Sequence, residues 1–121
     1  MTDPKFRLRI SFGDSLTFGP GKADLLEFIA TEGSISAAGR RMAMSYKRAW
    51  MLVEEMNAAF RTPLVESARG GAKGGGAHLT PAGEQVLHAF RRLEAIIPEV
   101  GVAEIEVIQS QLKDLDMYGG K

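Results

Sequence analysis

Cysteine is absent from the 121 residues, so neither a disulfide nor a thiolate metal site can form, which fits a protein of the reducing cytoplasm. Histidine occurs only as His78 and His88, with no Glu-x-x-His or His-x-His spacing near either. No Ser-His-Asp or Cys-His set can be assembled, and the chain reads as a non-enzyme without cofactor or metal. The six methionines fall mostly at helical core positions, where they fill gaps rather than ligate. No apolar run is long enough to span a bilayer, and no basic start leads into an apolar segment, so neither a membrane span nor a secretory leader is expected. An excess of one charge is missing too: Lys+Arg and Asp+Glu number 15 each.

The balance hides an uneven distribution. Arg40, Arg41, Lys47, Arg48, Arg61, Arg69 and Lys73 stand against Glu54, Glu55 and Glu66 in the middle of the chain. From Glu99 onward the balance reverses, with Glu99, Glu104, Glu106, Asp114 and Asp116 against Lys113 and Lys121. A polarised chain can meet a polyanion with one face while remaining neutral overall. The alternative is that these charges intermix on the folded surface.

Residues 33–60 hold the pattern around which the rest is arranged. Ser36 is placed to cap a short helix in which Ala37 and Ala38 let a second helix approach closely. Met44-Ser45 is the expected turn, with Ser45 as N-cap of a helix from Tyr46 to Phe60. Ala49, Val53, Met56 and Phe60 recur at helical spacing as its buried stripe, with Trp50 beside it. Tyr46, Lys47 and Arg48 occupy the first turn, where a recognition helix contacts base edges. An ordinary pair of core helices would share much of this pattern; the segment after residue 60 favours the helix-turn-helix.

Before it, Phe6, Leu8, Ile10 and Phe12 alternate with polar residues, and Leu16-Thr17-Phe18 resumes the alternation after the turn chemistry of Gly13-Asp14-Ser15. This predicts a hairpin over residues 5–18, ended by Gly19-Pro20-Gly21. A helix from Lys22 to Thr31 turns Leu25, Leu26, Phe28 and Ile29 inward, with Gly33 as C-cap. Beyond the helix-turn-helix, Arg61-Thr62-Pro63 stops the long helix. Leu64-Val65-Glu66-Ser67 and His78-Leu79 are short strands joined by a basic, glycine-rich loop. Two strands and such a loop directly after a recognition helix form a wing, in which glycines let the backbone lie close to sugar-phosphate while Arg69 and Lys73 supply charge. A nucleotide-binding loop is excluded by context, because a strand succeeds the glycines instead of a Lys-Ser/Thr pair opening a helix. A plain loop without a partner stays open at this point.

Thr80-Pro81 starts a further helix, with Val86, Phe90, Leu93 and Ile97 as its buried stripe and Pro98 as its break. Ile105, Ile108, Leu112 and Leu115 then form a narrow apolar seam suited either to pairing with another helix or to packing on its own domain.

Taken together, the blocks Gly33-Ser34-Ile35-Ser36, Ser45-Tyr46-Lys47-Arg48-Ala49-Trp50, Glu55-Met56-Asn57, Pro63-Leu64-Val65-Glu66, Gly70-Gly71 with Gly74-Gly75-Gly76, and Leu79-Thr80-Pro81-Ala82-Gly83 resemble the ModE-type regulators in order and spacing. These are molybdate-responsive bacterial transcription factors; LysR-type regulators share the winged helix but usually lack the Ser-Tyr-x-x-Ala-Trp and triple-glycine elements. The resemblance covers about Leu16 to Leu93. It implies a homodimer on a near-palindromic operator, with Ser34, Ser36, Ser45, Tyr46, Lys47 and Arg48 at the major groove and its phosphates. By the same carry-over Gly71, Lys73 and Gly74 sit at the wing, and Trp50 anchors its helix to the core. Full-length members carry C-terminal oxyanion-binding domains, and this chain ends where those would begin, so molybdate sensing is not carried over.

The expected fold is α+β, mostly α: a winged helix-turn-helix over residues 1–97 with an N-terminal hairpin and a C-terminal helix over 98–121 available for dimerisation. The expected function is sequence-specific binding of double-stranded DNA by a cytoplasmic transcriptional regulator. Arg40, Arg41, Arg69 and Lys73 supply sequence-independent affinity, and Lys47 and Arg48 meet bases or phosphates. Two rivals are a winged-helix protein-interaction module that no longer binds DNA and a small oxyanion-binding protein.

Overall fold

The computed structural model describes residues 4–68 and 76–113. Among them the elements run β1 (Ile10–Phe12), β2 (Leu16–Phe18), α1 (Pro20–Glu32), α2 (Ile35–Arg41), α3 (Tyr46–Ala59), β3 (Val65–Ala68), β4 (Gly76–Leu79), α4 (Pro81–Val100) and α5 (Val102–Ser110). The architecture is a winged helix preceded by a small hairpin, the mostly α fold read from the sequence.

The first hairpin is shorter than the alternation from Phe6 predicts. β2 offers only three partners, in the register Ile10↔Phe18 to Phe12↔Leu16. Immediately beyond Phe18 the chain turns into α1, because Pro20 has no N–H to lose at a first helical position and its φ is already helical. Residues 5–9 therefore have no strand to pair with. Leu8 and Ile10 still pack against the core, whereas Phe6 and Phe12 are exposed. Gly19-Pro20-Gly21 does end the hairpin, but Pro20 and Gly21 belong to the helix, which begins two residues before Lys22.

Helix α1 buries Ala23, Leu25, Leu26 and Ile29. It ends at Gly33, whose left-handed backbone (φ 81°) lets its N–H reach the Ile29 carbonyl at 2.9 Å. The next residue, Ser34, is extended and caps α2: its Oγ accepts the Ala37 N–H at 3.0 Å. Ser36, the expected cap, lies inside the helix instead; both serines suit the role, and the left-handed glycine just before Ser34 decides between them. Helices α2 and α3 cross closely at Gly39, where an added Cβ would stand 3.2 Å from the Ala49 Cβ. The connection also begins earlier than Met44: α2 stops at Arg41, and Ala43 adopts a left-handed conformation (φ 57°) that alanine disfavours.

Helix α3 buries Ala49, Val53 and Met56, with Phe60 packed at the core edge. β3 and β4 pair antiparallel from Val65↔Leu79 to Ala68↔Gly76. The Ala77 N–H bonds to the Gly33 carbonyl at 2.8 Å, which pins this wing to the α1–α2 corner. Leu64, entering β3, is fully buried together with Leu25, Leu26, Ile29 and Met56; burying a side chain of this size contributes about 1.5–3 kcal/mol.

Thr80 caps α4 through the Gly83 N–H, with Pro81 at the first helical position. Two expectations for this helix are corrected. It runs through Pro98 and ends at Gly101. Proline removes a single helical donor, and the bonds on either side carry the helix past it. The buried stripe is also different: Leu87 and Phe90 are buried and Val86 partly so, but Leu93 and Ile97 are exposed. The stripe keeps its helical spacing, yet the hairpin meets α4 at Phe90, whose ring packs edge-on against Phe18 at 5.1 Å, and beyond it α1 is joined to α4 by the ion pairs of Arg91 rather than by apolar packing. Helix α5 buries nothing, and Ile108 and Leu112 of the expected seam are exposed. Leu115 lies outside the described residues.

Candidate nucleic-acid interface

The charge of the helix-turn-helix is presented by the local geometry of α3. At about 100° per residue, a helix that buries Ala49, Val53 and Met56 turns Lys47, Arg48 and Met51 outward. Ser45 fixes where the helix starts, its Oγ accepting the Arg48 N–H at 3.1 Å. All four of Ser45, Tyr46, Lys47 and Arg48 are exposed. Neither Lys47 nor Arg48 has an acidic partner among the described residues, so both cations face solvent uncompensated.

The remaining candidates are placed differently from one another. Arg40, in the last turn of α2, is exposed. Arg41 is engaged within the fold: its Nη1 donates to Glu32 Oε2 at 2.7 Å and its guanidinium lies 4.8 Å from the centre of the Phe28 ring. It straps α2 to the end of α1. Ser34 is half-buried as the α2 cap, and Ser36 is half-buried in the first turn of the same helix. Arg69, Gly71, Lys73 and Gly74 lie outside the described residues. His78 is exposed and pairs across the wing with Glu66, Nε2 to Oε1 3.5 Å.

Trp50 is not a core residue. It remains 37% exposed, stacks on Tyr46 with ring centres 6.4 Å apart, and lines a groove of about 310 Å³ between α3 and the wing strand. Ile35, Val53, Asn57 and Val65 form other parts of that groove.

Asn57 holds the wing to α3, a role not assigned from the sequence. Its Oδ1 accepts the Leu64 and Val65 N–H groups at 2.8 and 3.2 Å, and its Nδ2 donates to the Val65 carbonyl at 3.0 Å. The amide thus completes one edge of β3 as a strand would. Thr80 closes the other side: its N–H bonds to the Leu64 carbonyl and its hydroxyl to the Pro63 carbonyl, at 2.9 and 2.7 Å. Gly83 lets α4 pass this junction, since an added Cβ would run into the Leu64 carbonyl oxygen. A glycine in a first helical turn, where alanine has the better propensity, was the available signal for that contact. Asn57 gave none by itself, because an amide on a helix flank is ordinarily solvated.

Arg91 fixes α4 to α1. It bonds Asp24 Oδ1, Glu27 Oε1 and Glu94 Oε1 at 2.7–3.1 Å. Burial opposes its charge, but the hydrogen bonds it donates to Asp24, Glu27 and Glu94 and the charge of Glu27 outweigh it, so its pKa is raised and it stays ionised. Among the described residues no group of three or more His, Asp or Glu is placed to hold a metal ion.

Comparison with known proteins bears on this arrangement. The family described as bacterial regulatory helix-turn-helix protein, lysR family, matches residues 22–84, just over half the chain. The chain belongs to this family. It is a family of regulators rather than enzymes. Among relatives, the molybdenum-pterin-binding protein MopB of Rhodobacter capsulatus is 46% identical over 87 residues, covering 72% of this chain and 30% of MopB. The molybdenum transport protein ModE of Azotobacter vinelandii is 36% identical over 96 residues, covering 78% and 36%. The DNA-binding transcriptional dual regulator ModE of Escherichia coli K12 is 38% identical over 89 residues, covering 74% and 34%. The chain thus spans about a third of the length of these curated relatives. The ModE-type resemblance is therefore upheld for the winged-helix part. Of solved structures, the DNA-binding domain of CbnR in complex with DNA matches with a TM-score of 0.55 at 20% identity, over 73% of this chain and 95% of that one. That likeness establishes the winged-helix fold.

Proposed function

We propose that this chain binds double-stranded DNA sequence-specifically, as a homodimer on a near-palindromic operator, and regulates transcription in the cytoplasm. The observation that carries the reading is the Lys47–Arg48 pair, without an acidic partner among the described residues, on the outward face of the first turn of α3, a helix packed on α2. Arginine pairing bidentately with guanine is worth roughly 1–3 kcal/mol of discrimination, and arginine or lysine on phosphate contributes affinity to any sequence. The similarity to a relative named as a DNA-binding transcriptional dual regulator supports the same reading. No helix among the described residues is long and apolar enough to cross a membrane.

The dimer is supported by the far end of the molecule. Ile96, Ile97 and Val100 on α4 and Val107 and Ile108 on α5 are 36–79% exposed. A run of exposed apolar residues along two consecutive helices exceeds the scattered singles of an ordinary surface. Pairing two copies there uses no residue of α3, and a twofold dimer reads half-sites about 34 Å apart, one turn of the duplex.

We assign the chain no oxyanion effector. Selection of random-sequence duplexes at two salt concentrations, with and without molybdate, tests the whole reading. Enrichment of an inverted repeat, with affinity falling steeply with salt and unchanged by molybdate, is expected. A folded protein that enriches nothing would overturn the reading in favour of a protein-interaction module.

A further inference from the structure

We infer that Met51 is a specificity-determining residue that reads the C5-methyl group of thymine in the major groove. The inference rests on the DNA-binding reading above and adds to it a base contact that neither cation supplies. With Ala49, Val53 and Met56 defining the direction of the core, a rotation of about 100° per residue puts Met51 almost directly opposite. Lys47 and Arg48 fall to either side of it. The most outward side chain in the first two turns of α3 is therefore a thioether, not a charge.

Met51 is 57% exposed and belongs neither to the core nor to the residues packed against it. The other large exposed hydrophobics of α3, Tyr46 and Trp50, stack on each other, and Trp50 faces the groove beside the wing. Met51 shares in neither arrangement. A single exposed hydrophobic is common on protein surfaces; its position is what separates this one. It projects from the centre of the face, between two cations with no acidic partner among the described residues, where base edges rather than phosphates come opposite a helix laid in the groove.

Thymine presents the one apolar group among the base edges of the major groove. Methionine is unbranched, flexible and polarizable, and adapts its shape to such a contact. Each half-site should accordingly hold an A·T pair whose thymine methyl faces the centre of α3, beside the position reached by Arg48.

The test uses the full chain and a duplex enriched from random sequence, with each thymine of the half-sites replaced in turn by deoxyuracil, which lacks only the methyl. Wild type should lose about fourfold in affinity per half-site at one symmetric position, the effect of burying roughly one methyl-sized group. Met51→Ala should bind the thymine and uracil duplexes equally, while Met51→Leu keeps the preference. An unchanged melting temperature shows that the variants are folded. Uracil tolerated everywhere by wild type, or an undiminished thymine preference in Met51→Ala, would overturn the inference and leave the DNA-binding reading standing. Failure to select any duplex would remove both.

Discussion

The two halves of α4 are both rich in apolar residues, yet they end in opposite environments. Toward the N-terminus, Leu87 and Phe90 are 8% and 3% exposed and close the core against the hairpin. Beyond the Arg91 cluster, Ile96 is 39% and Val100 79% exposed, and α5 continues in the same way with Ile108 at 65%. The winged helix is complete as a packed unit by about Phe90. The apolar residues exposed beyond Arg91 have no core of their own protomer to join among the described residues. The same helical periodicity therefore serves two ends, self-packing in the first half and, in our reading, association with a second copy in the other.

This contrast can be broken most forcefully at its buried end. Phe90→Ala removes the ring that meets Phe18 and should cost about 3–5 kcal/mol in urea unfolding. A loss below about 1 kcal/mol, less than the usual range for a core aromatic, would mean that the hairpin does not depend on α4. Asn57→Ala strips two backbone N–H groups of their acceptor at the wing junction and should cost about 2 kcal/mol. A wing released from α3 should also flatten the salt dependence of DNA binding. Asn57→Asp keeps the acceptor for the Leu64 and Val65 N–H groups but sets a carboxylate oxygen against the Val65 carbonyl where Nδ2 donated, so it too should destabilise; wild-type stability in either variant would place the junction elsewhere than in these bonds.

Ala43→Gly works in the other direction. Relief of the left-handed strain in the α2–α3 turn exceeds the added freedom of the unfolded chain, so stability should rise by about 1 kcal/mol or less. A lower melting temperature would show that the turn draws on the alanine side chain. The smallest effect on the protomer belongs to Ile97→Ser, on the exposed half of α4. Folding stability of a monomeric state should change by no more than about 0.5 kcal/mol, while sedimentation should show the dimer weakened. Full retention of the dimer would move the interface away from this surface.

The helix-turn-helix and the wing were legible because their signals are local. Ser45, the Ala49–Val53–Met56 spacing, Pro63 and Thr80-Pro81 each specify a boundary or a face within a few residues, and the folded elements lie where those signals put them. What depended on distant partners was not legible. The alternation from Phe6 implied a strand, but its extent was set by where Pro20 starts α1. Pro98 was expected to break α4, and Gly101 ends it. Leu93 and Ile97 have core spacing but stay exposed, past the Phe18–Phe90 contact that closes the core. Arg41 was assigned to phosphates with Arg40; that the α1–α2 corner also brings Glu32, nine residues earlier, beside it was not readable from either position. Asn57 and Arg91, which join the elements to one another, act through partners that no local pattern reveals. The identity of the candidate reading residues followed from local order; whether each was free to read did not.

Readout of DNA by the first turn of α3 is tested by running duplex selection on wild type and Arg48→Ala side by side. Wild type should enrich an inverted repeat, and Arg48→Ala should still bind DNA with its preference at one symmetric position relaxed by roughly 1–3 kcal/mol. Enrichment of the same repeat with undiminished preference by both proteins would place sequence readout outside this turn.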